Sequence, residues 1–230
     1  DIKGGYRRVG GTALYNTTIV PEGSTHSGKT IDCSIVFNGQ IIVARGGDIH
    51  RGTTSGSWTS LTTSLGTALR SYDFEKFNFD GTDKIIIATG HSPAQIINSS
   101  FAVDVVNATG GGTAPTNPKF VKVFQNHMFY AGATNSQEVI FSVPFAEDNF
   151  TTGSGAGSFK VDSAVVGLKV FRNELIIFCE DRIYKLTGTT SSNFAVQEVT
   201  RNIGCRDGGS IQEIGGDVIF LAPDGLRTIA

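Results

Sequence analysis

Apolar residues along this chain fall into short runs between polar turns, and five of the runs recur at nearly constant spacing. They are QIIVA at 40–44, KIIIA at 84–88, HMFYA at 127–131, ELIIF at 174–178 and DVIFL at 217–221, starting 44, 43, 47 and 43 residues apart. A turn stands before each: FNG at 37–39, DGTD at 80–83, FQN at 124–126, FRN at 171–173 and IGG at 214–216. Ahead of each turn lies a shorter candidate strand, as in IDCSIVF, SYDFEKFNF, PKFVKVF, AVVGLKVF and GSIQEI. Each run is followed by a second turn and another strand, and several units close with a fourth, SWTSLTT, FAVDVVN or NFAVQEVT.

Three or four short antiparallel strands per unit, with Gly, Asn and Asp where hairpin turns need positive φ, predict an all-β chain of repeated meanders. A strand repeat of this length predicts a β-propeller, because a four-stranded blade has two apolar faces and buries them only by stacking on its neighbours. IIVA, IIIA and LIIF are continuous rather than alternating, as expected of strands covered on both faces. The expected organisation is an N-terminal lead-in segment over 1–32 and a partial propeller over 33–230. At least one further strand group is expected outside this stretch, since closed wheels have roughly four to eight blades. The Gly-His and Trp-Asp dipeptides of WD40 repeats are missing, and the single tryptophan, Trp58, cannot mark every blade.

Composition agrees with strands. Glycine accounts for 29 of 230 residues and charged residues for only 17%, which favours turns and short strands over helices. A net charge of -2 gives no basic footprint for nucleic acid, and no apolar run reaches the ~18 residues that cross a bilayer as a helix. Cys33, Cys179 and Cys205 are odd in number and far apart, which predicts free thiols of a cytoplasmically made protein rather than a disulfide framework or a CxxC metal pair. No secretory leader opens the sequence and GLRTIA closes it in mid-strand, so the chain reads as an excerpt of a longer one.

KGGYRRVGGT near the start, NGQIIVARGGDIHRG, FVKVFQNHMFYAGATNSQEVIFSVPFAEDNF, VGLKVFRNELIIFCEDRIYKLTG and VTRNIGCRDGGSIQEIGGDVIFLAPDGLRTIA occur in that order. Together they resemble the propeller region of tail nozzle or hub proteins of short-tailed bacteriophages, of the tail tubular B and packaged-DNA stabilisation types. The resemblance implies a virion structural protein of the phage tail, assembled in the host cytoplasm, with no enzymatic activity and no cofactor. It implies a cyclic homo-oligomer, commonly six-fold, that extends and closes the DNA channel and supports genome retention and ejection. Implied partners are the adaptor, the tail fibres and passing genomic DNA, the last held without sequence-specific contacts. A near-neutral composition suits this, because a strongly basic channel would hold passing phosphates. The second reading is a propeller that binds or cleaves glycans.

Candidate chemistry has bland explanations. Asp73, Glu75, Asp80 and Asp83 suggest a calcium loop or a glycosidase carboxylate pair, but the spacing fits no EF-hand and DGTD is itself a hairpin turn. His26, His50, His91 and His127 are isolated, without HxH or HExxH spacing, and read as surface or strand-edge residues. GGYRRVGG and ATGGGTAPTNP lack the G-K-[ST] ending of a phosphate loop and read as loop and linker. No G-x-S-x-G elbow occurs, although a triad could assemble from scattered residues. Lys3, Arg7 and Arg8 form a compact basic cluster suited to an acidic neighbouring subunit, and Asn16, Asn98, Asn107 and Asn149 sit in chance N-x-[ST] sequons. No catalytic, cofactor-binding or metal-binding residue is expected.

Overall fold

A computed structural model of the protein describes residues 16, 18–21, 31–53, 56–62, 65 and 72–229. These residues form five antiparallel sheets. The first holds Ile31–Phe37, Gln40–Arg45, Asp48–Gly52 and Trp58–Thr62 (β1–β4), and the second Asp73–Phe79, Thr82–Ala88, Gln95–Asn98 and Val103–Val105 (β5–β8). The third holds Phe120–Phe124, His127–Ala131, Glu138–Phe141 and Gly157–Lys160 (β9–β12), and the fourth Val165–Phe171, Glu174–Cys179, Arg182–Thr187 and Ala195–Arg201 (β13–β16). The last has three strands, Gln212–Ile214, Asp217–Ala222 and Gly225–Thr228 (β17–β19). Every sheet is a simple meander in chain order.

The five recurrent apolar runs are β2, β6, β10, β14 and β18, each the second strand of its own sheet. The same device opens every blade. A two-residue turn joins the first pair of strands, and the residues flanking it pair directly: Phe37 with Gln40, Phe79 with Thr82, Phe124 with His127, Phe171 with Glu174 and Ile214 with Asp217. Both turn residues have positive φ in all five, from Asn38 and Gly39 (46° and 74°) to Gly215 and Gly216 (62° and 83°). That conformation matches the twist of the flanking strands, which is why Asn and Gly recur there. Gln125 and Arg172 occupy the first turn position at φ 48° without that excuse.

The blades stack face to face. Phe37, Ile42 and Ile49 of the first meet Ile85, Ile87 and Ile97 of the second, and Ile86, Ala88 and Ile96 of the second meet Val121, Met128 and Tyr130 of the third. Phe129, Val139 and Phe141 meet Leu168, Leu175 and Ile177, and Ile176, Phe178 and Ile183 meet Val218, Phe220 and Ala222. Adjacent residues of one strand, such as Ile85 and Ile86, thus serve opposite interfaces, which is why these runs are continuous. Successive meanders packed in this way, first strands innermost around a shared cavity, make a β-propeller.

Polar locks join the blades near the turns. Asn38 donates to the Ser99 carbonyl, Gln125 to Asn173 Oδ1 and Arg172 to the Gly216 carbonyl, each from one blade to the next. Between the second and third blades, Asp148 accepts the backbone N–H groups of Asn107, Ala108 and Thr109 and the Thr109 hydroxyl, while Lys84 pairs with Glu147 at 2.5 Å. ATGGGTAPTNP is consequently a fitted connector rather than a loose linker. A Cβ on Gly112, at φ 82°, would lie 2.2 Å from the Phe150 carbonyl oxygen. Of the lead-in segment, Asn16 donates to the Thr53 carbonyl, Trp58 to the Thr18 carbonyl and Arg45 to the Val20 carbonyl, which fastens it along the first blade.

The far face of the last blade carries exposed apolar side chains. Ile214, Leu221 and Leu226 stand 59%, 40% and 74% exposed there, on the side of β17–β19 turned away from the fourth blade.

Candidate functional site

The inner strands of all five blades converge on one cavity of about 570 Å³ along the propeller axis. The first blade contributes Asp32, the second Tyr72 and Asp73, and the third Phe120 and Lys122. The fourth contributes Gly167, Leu168 and Lys169, and the connector into the fifth contributes Asp207 through Gly209 with Ile211 and Gln212. The end of the segment NIGCRDGGSI, Asp207 to Gly209 with Ile211, therefore lines the axis. Gly208 must be glycine, since a Cβ there would lie 2.3 Å from the Val166 carbonyl oxygen, and a Cβ on Gly167 would lie 2.4 Å from Ile211 Cδ1.

Most charges around the cavity are committed. The Val121 N–H donates to Asp73 Oδ2 at 2.9 Å, so a carboxylate of β5 satisfies the backbone of β9. Glu75, two residues further along β5, accepts the Val123 N–H at 3.3 Å and pairs with Lys122 at 2.5 Å. Lys169 pairs with Glu213 at 3.5 Å across the fourth and fifth blades. Asp207 accepts the Gly209 N–H at 2.9 Å and so caps the short 3-10 turn Gly208–Ser210. Burial pushes the Asp73 carboxyl up to about 6, against the pull of the Val121 N–H and of the Lys122 ammonium. Burial, with Asp32 and Asp48 nearby, pushes the Tyr72 hydroxyl up to about 12, so it stays a donor.

Of the four carboxylates singled out in the sequence, Asp73 and Glu75 act as locks on the inner strand rather than as part of a turn. Asp80 is the turn residue, with φ 49°, and Asp83 accepts from Asn78 at 2.8 Å beside Lys76. They form neither a loop of ligands nor a facing pair. The histidine reading needs correction. His50 and His127 are 3% and 1% exposed, the His127 ring lying between the third and fourth sheets, and of the three described histidines only His91 lies at the surface. Burial lowers both buried imidazoles from their ordinary value and keeps them neutral. His127 Nδ1 lies 2.6 Å from the Ser142 carbonyl oxygen, and its ring sits in a nest of Phe129, Phe141 and Phe194. His26, Lys3, Arg7 and Arg8 lie outside the described residues. Asn98 and Asn149 use their side chains to close local turns, on Ser100 and Ala102 and on Thr151.

All three cysteines are free, and burial pushes Cys33 and Cys179 up to about 12. Among the described residues, no group of three or more His, Cys, Asp or Glu side chains is placed to hold a metal ion, and no helix is long and apolar enough to cross a membrane. Lys122, Lys169, Asp207 and Gln212 were not singled out in the sequence. The available signal is their repeat-equivalent location, at or just before the first strand of successive units.

No family model and no curated protein matches the chain. Solved structures do. The structure of streptogramin B lyase superposes with a TM-score of 0.54 at 13% identity, over 85% of this chain and 67% of that one. The extracellular domain of the hybrid two component system BT4673 from B. thetaiotaomicron gives 0.59 at 12% identity, over 86% of this chain and only 26% of that one. The WD40 domain of Neurospora crassa Pan2 gives 0.52 at 12% identity, over 86% and 64%. At such identities the likeness establishes the propeller fold alone. None of these three is a phage tail protein.

Proposed function

We propose that this propeller is a structural module of a short-tailed phage tail nozzle or hub, a part that holds subunits and neighbouring tail proteins in place around the DNA channel. The observation that carries the reading is the apolar surface left exposed on the described blades, Ile214, Leu221 and Leu226 on the last and Ile31 and Val36 on the first. Exposed apolar faces of this kind mark protein contacts. The ordered series of motifs from NGQIIVARGGDIHRG to NIGCRDGGSI supports the same reading, and the polar side chains at the axis serve mainly as locks between blades. The full protein then acts without cofactor as a cyclic homo-oligomer, six-fold by the family resemblance, and passes DNA without reading its sequence. Electron microscopy and native mass measurement of the full-length protein test this. A closed ring with an axial channel is expected, and a stable monomer in the mature particle would refute it.

The axial cavity favours a second reading, a propeller that binds glycans. Sugar binding by the chain alone tests it.

A further inference from the structure

We propose that the axial cavity binds a neutral sugar, with one pyranose unit seated between the inner strands. The inference is separate from the tail reading, for the cavity needs no second subunit. All five blades supply its wall, and its volume of about 570 Å³ lies within the range of roughly 300–1,000 Å³ usual for small-molecule sites.

The polar groups decide the ligand class. Both signs face the same space: carboxylates at Asp32, Asp73 and Asp207, ammonium groups at Lys122 and Lys169, and the Gln212 amide. Each ammonium is already held by a glutamate, yet carries three donors, and each carboxylate accepts at about four positions. A compact anion entering the cavity would meet three carboxylates, and a compact cation would meet two lysines. A neutral polyol avoids both costs, because each hydroxyl both donates and accepts and can bridge an ammonium to a carboxylate. The apolar part of the wall fits the same class. Phe120, Leu168 and Ile211 offer carbon surface to the C–H face of a sugar ring, while Tyr72 supplies a protonated hydroxyl. The anchoring groups are also fixed beforehand, Asp73 by the Val121 N–H, Lys122 by Glu75 and Asp207 by the Gly209 N–H. Little ordering is then left to occur on binding, which favours affinity.

Saturation-transfer NMR on the chain, with D-glucose, D-galactose, D-mannose and maltose as probes and putrescine and succinate as charged controls, tests the proposal. Transfer to the ring C–H protons of at least one sugar is expected, with weaker signals from both controls. Lys169→Met and Gln212→Ala alter the cavity wall without touching the half-buried Asp73 lock, and each should weaken sugar binding about tenfold, equal to about 1.4 kcal/mol. Far-ultraviolet circular dichroism confirms that the variants fold; should one fail, the other decides. No transfer to any sugar, transfer unchanged in the folded variants, or stronger transfer to putrescine or succinate would overturn the assignment. Failure here leaves ring assembly by the full-length protein standing, and failure of ring assembly leaves this site standing.

Discussion

Replacing Asp73 by Asn should make the protein more stable at neutral pH and flatten its pH dependence. The carboxyl sits between β5 and β9, where Lys122 and Glu75 are the charged neighbours and the Val121 N–H is its hydrogen-bond donor. Its folded-state value is raised from 3.8 to about 6, so the folded protein binds this proton more tightly than the unfolded chain does. The sign follows. The group's favourable contribution is fully present below about 3.8, and it is lost as pH rises through about 6. The difference between the two values corresponds to ~3 kcal/mol. Asn keeps an oxygen to accept the Val121 N–H and has no charge to desolvate. Urea unfolding followed by tryptophan and tyrosine fluorescence should show similar midpoints for both proteins near pH 4. Near pH 8 the variant's midpoint should lie higher by about 1 M, taking a slope of ~3 kcal/mol/M. Equal displacement of the two midpoints at both pH values, or a variant less stable near pH 8, would refute the reasoning.

Asp148→Ala strands three backbone N–H groups in the lock between the second and third blades and should cost ~1–3 kcal/mol, read from the same urea midpoints. Gln125→Asn places a residue that tolerates the left-handed region at φ 48°, as Asn38 does in the first blade, and should raise stability by up to about 1 kcal/mol; a fall would show that the contact from Gln125 to Asn173 outweighs the backbone term. Cys33 and Cys179, whose thiols burial pushes up to about 12, should react with Ellman's reagent far more slowly in the native protein than in guanidinium, and equal rates would contradict their placement.

The architecture was largely legible in the sequence because each blade repeats a local signal, a two-residue turn followed by an apolar run covered on both faces. Where the signal weakened, the reading failed. Gly157–Lys160 closes the third blade with GSFK, a single large apolar residue among small and polar ones, and left no pattern to find. His127 follows a turn as surface residues often do, yet the third blade turns it into the phenylalanine nest. Asp73 and Glu75 lie close to DGTD in sequence, and proximity to that turn concealed that their partners are the backbone of β9, almost fifty residues on. The cavity was hidden for the same reason. Its wall draws on all five units, from Asp32 alone in the first to several residues in the last, and no single stretch carries its composition.

The identical register of the five opening hairpins bears on how the chain reaches its fold. Each hairpin closes over two residues, so its contacts are local and form on the scale of ~1–10 μs, while the faces between blades must wait for segments more than forty residues apart. Substitutions such as Gln125→Asn therefore alter an early event and change the rate of folding. Loss of the Asp148 lock strikes contacts that form late and accelerates unfolding instead. The lifetime of the assembled wheel is accordingly set by the seams between its blades, and the speed of its making by the turns.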